Sequence, residues 1–196
     1  MDGTLIDSSI TIANAINFVR AKLDLEPMDN QKILKDVNNH TLNPAKHFYN
    51  IDEFKPIHEE WFNSYYSANH HKELVLYDGI KEMLEDIKAN NKKLAIATNA
   101  YKISAIESLK YVGIFNLFDA IVCHDEVEKG KPYPDMLFKI LDSLNISNRD
   151  AIFIGDGSRD LLASQKANIE YLMVNWGFSE DDKSAISTVE ELRDRL

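Results

Sequence analysis

The chain has 196 residues and is 44% apolar, which supports a packed core in one domain with an insertion, or in two small ones, and excludes wholesale disorder. Acidic residues outnumber basic ones 32 to 22, and the net charge of −10 argues against a general nucleic-acid or anionic-membrane surface; an anionic substrate stays open, because a divalent cation and a few placed lysines reverse a local field. The single cysteine, Cys123, excludes an internal disulfide, reads as a small buried apolar residue and makes a reducing cytosol the simplest home, while no apolar run is long enough to span a bilayer and no signal peptide is visible.

The chain opens on Met1-Asp2-Gly3-Thr4-Leu5-Ile6-Asp7-Ser8, where Asp-Gly-Thr alone reads as a turn. From Ile10 to Leu25, Ile12, Ala15, Ile16, Val19 and Leu23 recur at helical spacing. Asp29 is placed to cap a helix that carries Ile33, Leu34 and Val37, and a polar loop from Asn38 to Pro44 follows. Two more helical stretches come next, Ala45–Tyr49 and Lys55–Ser67. No strand pattern is visible in this first third, so it reads as a small all-helical unit. At Val75-Leu76-Tyr77-Asp78-Gly79 the character changes. Helices are predicted at Ile80–Ala89, Ile103–Val112, Pro134–Leu144, Leu161–Ala167 and Val189–Leu196, with Gly113 as a C-cap. They alternate with the apolar runs Leu94–Thr98, Phe118–Cys123, Ala151–Asp156 and Tyr171–Val174, which read as buried parallel strands. That alternation predicts a parallel α/β sheet with right-handed crossovers, on which ligands bind beyond the carboxyl ends of the strands.

The residues with chemistry sit at those ends. Thr98-Asn99 closes the first run; a hydroxyl and the amides of such a turn can hold a phosphoryl oxygen, although the pair also reads as a plain helix cap. Gly130-Lys131-Pro132-x-Pro134-Asp135 follows the second run, and the flanking Gly and Pro fix the backbone of Lys131 in a turn, where its ammonium balances phosphoryl charge. Gly155-Asp156-Gly157-Ser158-Arg159-Asp160 follows the third. Two carboxylates four apart suit a hard cation, Mg²⁺ first, while Asp160 also favours a helix dipole.

Taken together, these four stretches resemble the four motifs of the haloacid dehalogenase-like (HAD) hydrolases. The resemblance is closest to the phosphoglycolate phosphatase and beta-phosphoglucomutase-like subgroup, because of the helical insertion after the first motif, Tyr77-Asp78-Gly79-Ile80, Gly-Lys-Pro-x-Pro-Asp and Val174-Asn175-Trp176-Gly177-Phe178. It implies a Rossmann-like core of residues 1–8 and 75–196 and a helical cap of residues 9–74. It also implies roles. Asp2 is the general acid/base, and its carbonyl binds Mg²⁺; Thr98 and Asn99 bind the phosphoryl group; Lys131 neutralises nucleophile and phosphate; Asp156 binds Mg²⁺, with Asp160 as ligand or close behind. An acid/base Asp speaks against dehalogenation. The family's first motif reads Asp-x-Asp-Gly-Thr, so the nucleophilic Asp falls one residue before Met1. The first strand, central in such a sheet, also precedes Asp2, and a core without it has a groove between two strand edges. The expectation is therefore that translation begins upstream of Met1.

The activity this implies is Mg²⁺-dependent hydrolysis of a small phosphorylated metabolite, nominally phosphoglycolate, by a cytoplasmic monomer or homodimer with no nucleic-acid or membrane partner. The rivals are a sugar phosphomutase, a catalytically inactive HAD-like binding protein and, disfavoured by the insertion and the Gly-Lys-Pro stretch, a receiver-like signalling domain. Within the cap, His40 reads more readily as a surface histidine than as a substrate contact. His70-His71 lacks the further ligands of a zinc site, and the aromatics from Trp61 to Tyr66 read as cap core.

Overall fold

Two very short strands bracket the helical third of the chain. In this computed structural model, which describes residues 1–37, 39, 41–177 and 184–196, β1 (Ile6–Asp7) pairs antiparallel with β2 (Val75–Leu76), with Ile6 opposite Leu76. Strands of two residues are too short for alternation to register, which is why the sequence shows only helices here. Between them run α1 (Ser9–Lys22), α2 (Asn30–Val37), α3 (Pro44–Tyr49) and α4 (Pro56–Glu73). Their starts are chemically marked. Asp29 Oδ1 accepts the Lys32 N–H, Asn43 Oδ1 accepts the Lys46 N–H, and prolines occupy the first turns of α3 and α4. The helix α4 runs six residues past the predicted Ser67, because nothing breaks it before Leu74. Ala13, Ile16 and Val19 of α1 close on Ile33, Phe48 and Tyr49 to form the insertion's own core.

From β2 onward the predicted alternation holds. The elements are α5 (Ile80–Ala89), β3 (Ala95–Thr98), α6 (Lys102–Tyr111), β4 (Ala120–Cys123), α7 (Asp135–Leu144), β5 (Ile152–Gly155), α8 (Ser158–Ala167), β6 (Glu170–Met173) and α9 (Val189–Arg193). Gly113 leaves α6 with φ of 76°, a left-handed turn that suits glycine. The pair β3–β4 is parallel with Ala95 opposite Ala120, and β5–β6 is parallel with Ile152 opposite Glu170. The architecture is α/β and Rossmann-like, with a helical insertion after the first motif. Cys123 is fully buried, and burial pushes its thiol up to about 11, as suits an inert core residue.

One departure from a continuous sheet stands out. The strands β3 and β5 are not hydrogen-bonded to each other; β3 pairs with β4 and β5 with β6 in separate two-stranded sheets. A cleft of about 450 Å³ lies between them, walled by Ala95 and Ala97 on one side and Ile152, Phe153 and Ile154 on the other. A second cleft of about 150 Å³ shares Ala97, Phe153 and Ile154 and reaches Met1, Lys131 and Asp160. Among the described residues, no helix is long and apolar enough to cross a membrane.

Candidate active site

The site is built on a tight turn at the head of the chain. The Met1 carbonyl accepts the N–H groups of Leu5 and Ile6 at 2.8 and 3.1 Å, and the Gly3 N–H donates to the Ile6 carbonyl at 2.9 Å. Gly3 has φ of 72°, and a Cβ there would lie 2.2 Å from Asp156 Oδ2. Only glycine lets this turn approach the carboxylate that closes β5. Thr4 then fastens the two, its hydroxyl donating to Asp156 Oδ1 at 3.0 Å. Trp176 Nε1–H donates to the Thr4 carbonyl at 3.1 Å, which gives the Asn175-Trp176-Gly177 segment a structural role; Phe178 lies outside the described residues. Gly3→Ala is expected to destabilise the fold by about 1–3 kcal/mol through backbone strain, and to lower turnover because Asp156 has to move. An unchanged urea midpoint in that variant would count against the close approach.

Asp156 is only 4% exposed. Burial, and secondarily the neighbouring Asp160, push its carboxyl up to about 6. Lys131 Nζ lies 2.6 Å from Asp160 Oδ1 and donates to the Ala97 carbonyl at 3.0 Å. The two side chains are 10% and 11% exposed, so this is a desolvated pair and not a surface contact. Asn99 makes the geometry of Lys131 explicit. Its Nδ2 donates to the Lys131 carbonyl at 2.9 Å, and its Oδ1 accepts the Lys131 N–H at 2.8 Å. The side chain of Asn99 is thus a two-point clamp on the lysine loop. Gly130 makes room for it, since a Cβ there would meet Asn99 Oδ1 at 2.7 Å. Thr98 is buried, and its Oγ1 accepts the Ala100 N–H at 3.1 Å. This i to i+2 bond closes the turn ahead of α6 and is not a helix cap, since α6 has Tyr101 as its N-cap with no side-chain cap bond, and it leaves the Thr98 hydroxyl proton to donate.

A cation fits here with few protein ligands. Among the described residues, no group of three or more His, Cys, Asp and Glu side chains forms a metal cage. The Oδ1 of Asp160 is engaged by Lys131, which sets that carboxylate behind Asp156. One buried carboxylate beside a carbonyl-rich turn is an all-oxygen set of the kind Mg²⁺ uses, since it keeps several waters and takes substrate phosphate oxygens as further ligands. A cation beside Asp156 would also offset the cost of burying that charge.

The insertion supplies the other wall. Tyr66 of α4, 7% exposed, donates its hydroxyl to Asp2 Oδ1 at 3.3 Å. Tyr101, just ahead of α6, donates to Glu59 Oε2 of α4 at 2.8 Å and so ties core to insertion. A cleft of about 430 Å³ opens between these elements, with Asp2 and Asn99 on its core side. Reading Trp61–Tyr66 as cap core holds for Trp61 and Phe62, which both pack on the α1–α3 cluster, while Phe62 and Tyr66 also line this cleft. Tyr66, read from the sequence as cap core, lines the cleft together with His58, His124 and Arg159, to which the sequence reading gives no role. Helical spacing of Phe62 and Tyr66 was the one available signal. His70 is a helix residue whose Nδ1 faces the Tyr66 and Ser67 carbonyls, while His40 and the side chain of His71 lie outside the described residues. The structure thus gathers Asp2, Thr98, Asn99, Lys131, Asp156 and Asp160 at one end of the sheet. Carboxylates, a fixed ammonium and turn amides together can bind a phosphoryl group and move a proton to or from it.

Known proteins resemble this chain in sequence and fold. A family profile described as "Haloacid dehalogenase-like hydrolase" matches residues 1–174. Pyrophosphatase PpaX of Halalkalibacterium halodurans is 33% identical over 138 residues, which cover 67% of this chain and 64% of that protein, slightly under two thirds of its length. Pyrophosphatase PpaX of Bacillus cereus is 32% identical over 181 residues, 90% of this chain and 81% of that protein. Among solved structures, a predicted phosphatase from Clostridium acetobutylicum superposes with a TM-score of 0.87 at 27% identity, covering 100% of this chain and 94% of its own.

Proposed function

The chain belongs to the haloacid dehalogenase-like hydrolases, and we propose that within that family it is a Mg²⁺-dependent phosphomonoester hydrolase of a small phosphorylated metabolite. The observation that carries this reading is the convergence of Asp2, Lys131, Asp156 and Asp160 beyond the carboxyl ends of β3 and β5. Asp2 protonates the leaving oxygen and then activates water. Lys131, clamped by Asn99, balances the charge of the phosphoryl group, and Thr98 with the turn amides after β3 holds its oxygens. The Asp2 carbonyl and the Asp156 carboxylate would hold Mg²⁺, with Asp160 orienting Lys131 from behind. The cation, when bound, supplies charge neutralisation at the phosphoryl oxygens.

The nucleophile in this proposal is an Asp immediately upstream of Met1, at the end of an extended apolar strand. Support comes from the slot between β3 and β5, whose walls are apolar and whose smaller cleft reaches Met1, Lys131 and Asp160. A strand there would pair with both edges and bring a carboxylate to the site, where attack on phosphorus forms an aspartyl-phosphate. Two measurements test the reading. Phosphate release from phosphomonoesters is expected to stop with EDTA and return with Mg²⁺; release indifferent to EDTA would remove the metal from the proposal. Intact mass of the protein from its native source is expected to exceed that of residues 1–196, and an equal mass would remove the upstream Asp.

A further inference from the structure

The phosphate chemistry accounts for only one end of the cleft that starts at Asp2 and Asn99. Its volume of about 430 Å³ falls in the range of roughly 300–1,000 Å³ in which sites enclose most of a small organic ligand. Six aromatic residues line it: Phe48, Tyr49, Phe54, Phe62, Tyr66 and Tyr101. Phe62 and Tyr66 lie nearly parallel, at 20° with centroids 6.2 Å apart, and Tyr49 meets Phe54 edge-on at 5.7 Å. Among the described lining residues the only Lys or Arg is Arg159, at the core end, while the insertion's wall carries an acidic residue, Glu59.

That wall selects by charge. A second anionic group directed at it, such as the carboxylate of phosphoglycolate or the second phosphoryl of pyrophosphate, would leave water for aromatic rings and a carboxylate. A planar apolar body gains burial and ring contacts in the same place. One donor is also available for a ring oxygen or nitrogen. His58 Nδ1 accepts the Lys55 N–H at 3.2 Å, which leaves Nε2 as the ring's donor.

Building on the phosphatase reading above, we propose that the preferred substrate is a phosphomonoester with a planar aromatic leaving group seated among the insertion's aromatics. In the net reaction the P–O bond to that group breaks, the proton from Asp2 passes to its oxygen, the hydroxyl of water ends on phosphorus, and water's other proton returns to Asp2.

The test uses the protein carrying the upstream Asp that the phosphatase reading requires, with Mg²⁺ and three probes: 1-naphthyl phosphate, phosphoglycolate and pyrophosphate. Phosphate release is expected to show kcat/KM for 1-naphthyl phosphate at least about tenfold above each of the others. Equal or faster turnover of phosphoglycolate or pyrophosphate overturns the inference and leaves the phosphatase reading standing. If none of the three is turned over, the phosphatase reading falls and calorimetric binding decides the inference. There, 1-naphthyl phosphate is expected to bind about tenfold more tightly than inorganic phosphate, and equal affinity overturns the proposal. Phe62→Ala is expected to weaken 1-naphthyl phosphate far more than inorganic phosphate; the same loss for both would make Phe62 a scaffold residue and sink the aromatic wall.

Discussion

Lys131→Ala is expected to cost both activity and stability, and the two losses are separable. The Lys131 ammonium sits 2.6 Å from Asp160 and 3.0 Å from the Ala97 carbonyl, with both charged side chains almost out of water. Removing the lysine leaves Asp160 as a buried charge without its counter-charge, a situation that typically costs about 3–5 kcal/mol. It also removes a preoriented cation from the phosphoryl site, a loss of about 10²–10³ in turnover by analogy with other fixed transition-state donors. A second substitution distinguishes the effects. In Lys131→Ala/Asp160→Asn the buried charge is gone, so the urea midpoint is expected to recover most of the way while turnover stays low. A single variant that unfolds at the wild-type midpoint and keeps the wild-type rate would return Lys131 to the status of a solvated surface charge.

That prediction shows which parts of the site are legible in sequence. Lys131 stands between Gly130 and Pro132, and a lysine held by two such residues reads as positioned even without coordinates. Asp156 and Asp160 are legible for a similar reason, since they follow a short apolar run that ends in Gly155. The clamp by Asn99 is not legible. It joins residues 32 apart through two hydrogen bonds, and nothing local to Asn99 says that its side chain faces another loop and not a ligand. Tyr66 is hidden for a different reason. An aromatic stripe on a helix has the same pattern whether it faces a core or a cleft, and α4 does both, with Trp61 inside the insertion and Tyr66 against Asp2. The strands β1 and β2 escape notice through brevity.

Asp2→Asn is expected to remove nearly all turnover while leaving the fold intact. The substitution is close to isosteric, and the Asn side-chain oxygen can still accept the Tyr66 hydroxyl that Asp2 Oδ1 receives at 3.3 Å. The backbone carbonyl of the residue is unchanged, so Mg²⁺ affinity is expected to stay near the wild-type value. What disappears is the proton. General acid–base assistance is worth about 10²–10⁴ in rate, and the loss should depend on how much the leaving oxygen needs it. An alkyl phosphate leaves as a strongly basic alkoxide unless protonated, whereas p-nitrophenyl phosphate leaves as a stable phenolate. The rate of Asp2→Asn is therefore expected to fall much further for the alkyl ester than for the p-nitrophenyl ester. Equal losses on both would mean that Asp2 acts on water or holds the turn, and undiminished hydrolysis of the alkyl ester would take the proton-donor role away from it altogether.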